Sequence, residues 1–358
     1  MIKVYYELID GLRIVPLVYA NHAGAGENFK DLPYRKKALD QIRERFVQKV
    51  ENPEEADYLL IPHHSSHARR HPEYIKKLNH LANTLDKKIL VFAFQDDAKP
   101  IDWPEAIIFR VSAYKSEMLE NEFVLPYIVE DFSQEYAFSP KELPEVPSVG
   151  FVGYAGFDSV YQAVRSGTRE LLLQVHSWAT RWRPLGVKRK GLYLRKEMMR
   201  LLEQNDQIQA NFVIRDRYSG HAGDLSEEDV KRVREEYVQN ILESDITLSP
   251  RGEGNGSQRF YEVLSLGRIP LLIDTDNELP FEDRIPYERF VIRVPYQKRK
   301  EVSTYIENFF TGMTEEEYKK RQEEALFYFK KYLSLNGYYT YLFSEGHIRE
   351  LEKSKKAK

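Results

Sequence analysis

The segment from Ser249 to Glu262, SPRGEGNGSQRFYE, holds residues suited to binding an anion. Gly252, Gly254 and Gly256 occupy alternate positions, where backbone N–H groups can approach a ligand closely. The segment follows a predicted strand and leads into a predicted helix, whose N-terminus adds positive potential. The pattern indicates a site for a phosphate or a similar anion.

Side chains of the same segment fit this chemistry. Arg251 and Arg259 flank the turn with guanidinium groups that match phosphate oxygens, and Ser257 is a natural N-cap for the helix. Glu262 lies three residues after Arg259, where its carboxylate could accept hydrogen bonds from a vicinal diol such as that of ribose. The alternative is a glycine-rich turn with solvated arginines. The Gly-Lys-Ser/Thr ending of a Walker loop is absent, which disfavours ATP hydrolysis with bound magnesium.

Candidates for proton transfer lie nearer the N-terminus, at the ends of two predicted strands. Asp96 and Asp97 follow one strand, and His63 and His64 end the strand before it. A carboxylate or an imidazole at such a position could act as a general base. The alternative for each residue is that it caps a turn or faces solvent.

Histidines near this position raise the question of a metal site. His63, His67 and His71 are four residues apart, a spacing that would align three imidazoles on one helix. Pro72 disfavours helical backbone at His71. We therefore expect a polar loop here and no metal.

Two series of alternating strands and helices are predicted to position these residues. The strand candidates are 2–8, 57–62, 88–94, 107–111 and 123–127, followed by 149–153, 211–215, 245–249, 269–273 and 289–294. The helix candidates are 36–50, the stretch after Pro72, 226–242, about 257–266, 303–310 and 314–335. Residues 131–148, with three prolines, separate the series as a linker. Such alternation predicts two doubly wound parallel α/β sheets with a ligand cleft at their carboxyl ends.

Composition excludes several classes of protein. The 358 residues include 53 Lys+Arg and 56 Asp+Glu, a net charge of −3 that argues against a nucleic-acid partner. Cysteine is absent, which excludes disulfides, a thiolate nucleophile and a cysteine metal site. No run approaches the ~18 apolar residues of a membrane helix, and the N-terminus lacks a signal-peptide pattern. A soluble cytoplasmic protein is expected.

An ordered series of motifs carries a resemblance to a known family. The motifs are SDITLSPRG (244–252), SQR (257–259), YEVL (261–264), GRIPLLID (267–274) and LPF (279–281). Over 244–294 the chain resembles the exostosin family of glycosyltransferases, and weaker similarities at 56–62 and 151–153 extend the resemblance to roughly 56–310.

The resemblance implies a fold and a reaction. The fold would be of GT-B type, with two Rossmann-like domains facing across a cleft and a C-terminal helix crossing back to the first. The expected domains are 1–145 for the acceptor, 146–312 for the nucleotide-sugar, and 313–358 as the helical segment on the first domain. The reaction would move a sugar from a nucleotide-sugar, with uridine as the default base, to a saccharide or glycan acceptor. It would invert the anomeric centre without a metal or further cofactor.

The resemblance also implies roles for individual residues. Those expected to bind the nucleotide-sugar are Gly153, Arg215, Arg251, Gly252, Gly254, Ser257, Arg259 and Glu262. The arginines of the loop would neutralise the diphosphate, and Glu262 would bind the ribose hydroxyls. Asp96 best matches the family's acid as the catalytic base, with Asp97 and His64 as the other candidates.

Two further hypotheses compete with catalysis. The protein could be an inactive binder of sugar nucleotides or polysaccharide. It could also bind a polyanion through Arg251, Arg259 and the basic segment 176–195, where Trp178 and Trp182 are interleaved. The near-neutral charge disfavours the polyanion binder. The sequence is also compatible with peripheral contact of the protein with a membrane surface.

Overall fold

The computed structural model describes residues 1–22, 33–155, 191–215, 226–343 and 347–356. The chain divides into two compact units. Unit 1 comprises Met1–Asp131, Glu278–Glu282 and Tyr328–Lys358, and unit 2 comprises Phe132–Asn277 and Asp283–Phe327.

Eleven strands are found in the described part of the chain, and each unit has one sheet. The strands are β1 (Ile2–Tyr5), β2 (Val47–Val50), β3 (Tyr58–Leu60), β4 (Ile89–Ala93), β5 (Ala106–Arg110), β6 (Glu122–Val124), β7 (Ser148–Tyr154), β8 (Gln209–Arg215), β9 (Ile246–Leu248), β10 (Ile269–Asp274) and β11 (Ile292–Pro295). The sheet of unit 1 has the order β2-β1-β3-β4-β5-β6, and that of unit 2 the order β11-β10-β9-β7-β8. The strands pair in parallel throughout both sheets.

Helices connect these strands. The described α-helices are α1 (Pro33–Asp40), α2 (Ser65–Ala68), α3 (Pro72–Leu85), α4 (Gly191–Glu203), α5 (Glu227–Glu243), α6 (Gln258–Ser265), α7 (Val302–Phe310), α8 (Glu315–Tyr328), α9 (Leu335–Phe343) and α10 (His347–Lys356). Ser226 caps the N-terminus of α5, because its hydroxyl accepts from the Asp229 N–H at 3.1 Å. None of the described helices is long and apolar enough to span a membrane.

The fold class predicted from the sequence is confirmed, since both units are α/β with a parallel sheet. The central strands β3 and β4 of unit 1 are buried along their whole length, which suits their apolar residues. In unit 1, for example, Leu59, Ile89 and Val91 pack in one cluster with Leu78 and Ala82 of α3.

The predicted helix over 36–50 is wrong after Asp40. There α1 ends, and Val47–Val50 pairs with β1 as an edge strand. Leu39 and Phe46 are both buried although they lie outside any shared helix. Separate neighbours thus bury these two residues, and their helical spacing does not reflect one continuous helix face.

The units do not coincide with the boundaries expected at residues 145 and 312. Phe132 packs in a cluster with Val238 and Val263, so the linker joins unit 2 directly after Asp131. Gln322 of α8 exchanges hydrogen bonds with the Lys141 backbone at 2.9 and 3.0 Å, which keeps most of α8 in unit 2.

The segment after α8 belongs to unit 1. A wide helical turn over Phe329–Leu333 interrupts the helix predicted over 314–335. In α9, the Tyr338 hydroxyl donates to the Val124 carbonyl at 3.0 Å, and the Tyr339 ring contacts Phe92 edge-on at 5.9 Å. The C-terminal aromatic residues therefore belong to the core of unit 1.

Candidate functional site

The glycine-rich loop connects β9 to α6 at the carboxyl end of the unit 2 sheet. Its turn is closed by the Gly252 N–H, which donates to the Gly256 carbonyl at 2.9 Å. Gly254 is buried within it. Because the first N–H groups of a helix have no intrahelical partner, the start of α6 offers hydrogen-bond donors beside this turn.

A buried polar cluster holds the loop against the end of β10. The Asn255 side chain accepts from the Thr275 hydroxyl at 2.7 Å and donates to the Asp276 carbonyl at 3.1 Å. The Asn277 amide donates to the Asn255 carbonyl at 2.9 Å. Asp274 completes the cluster by accepting from the Asn277 N–H at 2.9 Å.

Sequence reasoning missed this cluster. The available signal was the run of polar residues at 274–277, which directly follows a buried strand. Arg293 ties the cluster to the neighbouring strand β11, since its guanidinium contacts the Asp274 carboxylate at 2.8 Å. The loop is therefore anchored by side chains from two strands beyond its own.

Gly191 is another feature of the site that sequence reasoning missed. A Cβ atom at this position would lie 2.3 Å from the Arg251 carbonyl oxygen and 2.6 Å from that of Gly252. Only glycine lets α4 begin so close to the loop backbone. The predicted anion loop is thus bordered by the starts of α4 and α6.

Arg251 lies inside the loop. Its side chain is 5% exposed and donates to the Glu253 carbonyl at 3.2 Å. The guanidinium therefore places a positive charge within the glycine turn.

Arg259 reaches back from α6 to the carboxyl ends of two strands. Its Nη2 donates to the Val152 carbonyl at 2.5 Å and its Nη1 to the Leu248 carbonyl at 3.4 Å. The guanidinium lies 4.0 Å from the ring centroid of Phe151. These contacts hold the cation at the edge of the sheet where the loop begins.

Gly153 makes room for this arginine. A Cβ atom there would lie 3.1 Å from Arg259 Nη2, and the backbone φ of +154° is one that other residues rarely adopt. The structure therefore brings Gly153, Arg259 and the loop together.

Glu262 lies on α6 and is held by α5. Its Oε1 accepts from Arg234 Nη2 at 3.0 Å, and its Oε2 accepts from the Tyr237 hydroxyl at 2.5 Å. Burial, followed by the charge of Glu262, raises the pKa of Tyr237, so this hydroxyl stays protonated and donates. The carboxylate side chain is 12% exposed and has a fixed orientation.

Two other predicted donor-site residues differ from expectation. Ser257 occupies the N-cap position of α6 with extended backbone, but its hydroxyl makes no capping hydrogen bond, so the prediction of a side-chain cap is wrong. Arg215 at the end of β8 is bound to α5, where it contacts Glu236 and donates to the Val233 carbonyl at 3.1 Å. Arg215 thus takes part in the β8–α5 packing, and its expected role in binding the nucleotide stays a prediction.

In unit 1, His63 and His64 have different roles. His63 is buried, its Nε2 accepts from the Ile9 N–H at 2.9 Å, and its Nδ1 donates to the Arg13 carbonyl at 3.2 Å. Burial lowers its pKa. His63 therefore fastens the loop after β1 and is not available as a metal ligand.

His64 begins α2 and is partly exposed. Its ring centroid lies 5.4 Å from that of Phe94 and 6.0 Å from that of His67. Burial, with the positive charges of His67, Arg35 and Arg13, lowers its pKa to about 4. The imidazole is therefore neutral at pH 7.

Asp96 and Asp97 are exposed after β4. The Asp97 carboxylate accepts from the Lys99 N–H at 3.0 Å, which makes it a turn cap. The Ser65 hydroxyl donates to the Gln95 side chain at 3.1 Å, so the segments that carry His64 and Asp96 lie together at one edge of the sheet.

A buried ion pair supports the Asp96–Asp97 loop. Arg110 and Glu122 contact each other at 2.5 Å, and both are almost fully buried. Arg110 also donates to the Asp97 carbonyl at 2.8 Å, and Glu122 accepts from the Ile101 N–H at 2.8 Å. The pair thereby fixes the backbone on both sides of the turn.

The histidine spacing does not build a metal centre. The helix ends at Ala68, and His71 is the N-cap position of α3, so the three histidines do not share a helix. Among the described residues, no group of three or more histidine or carboxylate side chains is arranged to hold a metal ion. Residues 176–190 of the basic segment, with Trp178 and Trp182, lie outside the described residues.

Comparison with known families places the loop within a recognised domain. Residues 178–309 match the family model described as the Exostosin GT47 domain. The match includes the glycine-rich loop, α5 and α6. The resemblance predicted from the sequence is confirmed over these residues.

The solved structures that match this chain are distant from it in sequence. A glycosyltransferase from Rickettsia africae ESF-5 is 12% identical and covers 99% of this chain and 97% of its own, with a TM-score of 0.37. Anabaena Alr3699/HepE, solved in complex with UDP, is 12% identical over 99% of this chain and 100% of its own, with a TM-score of 0.39. WaaG, a glycosyltransferase involved in lipopolysaccharide biosynthesis, is 11% identical over 96% of this chain and 100% of its own, with a TM-score of 0.34.

Proposed function

We propose that this glycosyltransferase, which carries an exostosin GT47 domain over residues 178–309, transfers a sugar from a UDP-sugar to a saccharide or glycan acceptor with inversion. The observation that carries the proposal is the position of Arg259 beside Gly153, at the carboxyl ends of β7 and β9. Ligands of open parallel sheets bind at this edge.

The diphosphate of the donor is assigned to the loop and α6. Arg251 and Arg259 supply two fixed positive charges, and the backbone from Gly252 to Ser257 supplies N–H donors. Charge develops on the diphosphate as it leaves, and preorganised cations and dipoles stabilise that charge without reorganisation. This arrangement supports transfer that is independent of a metal ion.

The ribose of the donor is assigned to Glu262. An ionised carboxylate has about four acceptor sites, of which Arg234 and Tyr237 use two. The remaining sites can accept from the two ribose hydroxyls. Uridine as the base follows the default of the family that the sequence resembles.

Inversion requires a base that takes the proton of the acceptor hydroxyl. In the displacement, the acceptor oxygen bonds to the anomeric carbon, the bond from that carbon to the β-phosphate oxygen breaks, and UDP leaves with the electron pair. We assign the proton to Asp96, because it best matches the acid of the family that the sequence resembles and the low pKa of His64 makes that imidazole a weak base.

The test measures turnover with a panel of UDP-sugars and a panel of oligosaccharide acceptors. The two quantities measured are the release of UDP and the anomeric configuration of the product. The expected result is release of UDP in step with formation of a product of inverted configuration, unchanged by EDTA. A retained configuration or an absolute requirement for a divalent cation would overturn the proposal.

A further inference from the structure

Five side chains in unit 2 form a stack in which aromatic rings and guanidinium groups alternate. We call this set the cation–aromatic stack; in order it consists of Phe151, Arg259, Tyr237, Arg234 and Phe132. The successive guanidinium-to-centroid distances are 4.0, 5.5, 5.3 and 4.3 Å. Each cation lies between two rings, whose electron-rich faces attract it.

Helical geometry explains how the stack forms. Arg234 and Tyr237 are three residues apart on α5, and Arg259 and Glu262 are three residues apart on α6. Residues at this spacing share a helical face, so each helix presents one pair to the other. The aromatic residues at the two ends, Phe132 and Phe151, are 1% and 0% exposed and anchor the stack in the core of unit 2.

The stack also holds both charged groups that the proposed donor site uses. Arg259 is confined between Phe151 and Tyr237 while it donates to the Val152 carbonyl. Glu262 accepts from the third and fourth members, Tyr237 at 2.5 Å and Arg234 at 3.0 Å. One set of contacts from α5 therefore orients a cation and a carboxylate that project from different turns of α6.

We infer that Tyr237 and Arg234 are positioning residues that hold Glu262 toward the donor ribose and, through the stack, Arg259 toward the donor diphosphate. This inference rests on the proposed function. The Tyr237 hydroxyl serves Glu262, and the Tyr237 ring serves Arg259, so the two contributions can be separated by substitution.

The experiment compares two ligands, UDP and 2′,3′-dideoxy-UDP, which lacks the ribose diol. Calorimetric titration gives the dissociation constant of each for the unmodified protein, Tyr237→Phe, Tyr237→Leu and Arg234→Lys. Tyr305→Phe on α7, a tyrosine outside the stack, is the matched control. Thermal unfolding of each variant establishes that it is folded.

The expected pattern is selective. Tyr237→Phe and Arg234→Lys keep the stack but weaken the contact with Glu262, so the affinity for UDP falls about tenfold while that for 2′,3′-dideoxy-UDP changes less than about twofold. Tyr237→Leu removes the ring as well, so the affinity for both ligands falls. Tyr305→Phe leaves both unchanged.

Other outcomes contradict the inference in distinguishable ways. Equal loss of both ligands in Tyr237→Phe, or no loss of either, would overturn the positioning role while leaving the proposed function intact. Failure of the unmodified protein to bind UDP would overturn the proposed function and, with it, the inference.

Discussion

Nη2 of Arg259 donates to the Val152 carbonyl at 2.5 Å. Val152 lies in β7 directly before Gly153. In the described part of the chain, the contacts of this guanidinium are carbonyl oxygens and aromatic rings, and none is a carboxylate. These contacts fix the cation in place. A fixed cation at the carboxyl edge of a parallel sheet is suited to bind a diphosphate.

Gly153→Ala tests how closely Arg259 approaches the strand. The new Cβ would lie 3.1 Å from Nη2 at a φ of +154°, so it both strains the backbone and displaces the guanidinium. We expect the affinity for UDP to fall at least about tenfold, measured by calorimetric titration. Gly312→Ala is the matched control, because Gly312 also has a positive φ, of +72°, but has nothing within 4 Å of its Cβ position. An equal affinity loss in both variants would show that backbone strain alone is responsible.

Asn255→Ala tests the cluster that anchors the loop. The substitution removes the buried bond to the Thr275 hydroxyl and the partly buried bond to the Asp276 carbonyl. We expect the free energy of unfolding, measured by urea denaturation, to fall by about 1–3 kcal/mol. We also expect hydrogen exchange of the backbone amides from Gly252 to Ser257 to become faster. The exposed Asn308→Ala on α7 is the control. Unchanged exchange in the loop would contradict the anchoring role.

Asp96→Asn tests the assignment of the base. The substitution removes the proton acceptor but not the donor site, so kcat should fall about 10²–10⁴-fold while the dissociation constant for UDP stays the same. Asp97→Asn weakens a turn cap, and we expect it to lower kcat much less. If Asp97→Asn or His64→Gln causes the large loss and Asp96→Asn does not, the base is a different residue from the one assigned.

The low pKa of His64 predicts a pH dependence of stability. Its pKa is about 4 in the folded protein against 6.5 unperturbed, so the unfolded chain binds the proton more readily. The resulting stability is fully present above about pH 6.5 and is lost as the pH falls toward 4, with an upper limit of about 3 kcal/mol. The free energy of unfolding from urea denaturation at pH 7 and at pH 4.5 should therefore differ less in His64→Gln than in the unmodified protein. A difference of the same size in both would contradict the shift.

The sequence was sufficient to predict ten of the eleven described strands, the loop and α6, because each depends on local patterns. Three glycines at alternate positions between a predicted strand and a predicted helix indicate a loop at this place, and that they bind an anion stays a prediction. Edge strand β2 was mistaken for helix, because Leu39 and Phe46 happen to have helical spacing although separate neighbours bury them.

Contacts between distant segments could not be predicted in this way. Arg259 bonds to Val152, which is 107 residues away, and Glu262 is oriented by a helix more than 20 residues earlier. Ser257 has the residue type of a side-chain cap, but its hydroxyl does not cap, since local propensity is not decisive where tertiary contacts set the loop. Gly191 was overlooked because only the folded loop shows what its missing Cβ leaves room for.

Calorimetric titration of Arg259→Ala with UDP in the presence of EDTA tests the central claim most directly. The claim predicts that the unmodified protein binds UDP without a divalent metal and that Arg259→Ala weakens binding about 100-fold or more while its melting temperature stays close to that of the unmodified protein. Arg232→Ala, an exposed arginine on α5, should bind as the unmodified protein does. Unchanged affinity in Arg259→Ala, or binding that requires added metal, would contradict the claim.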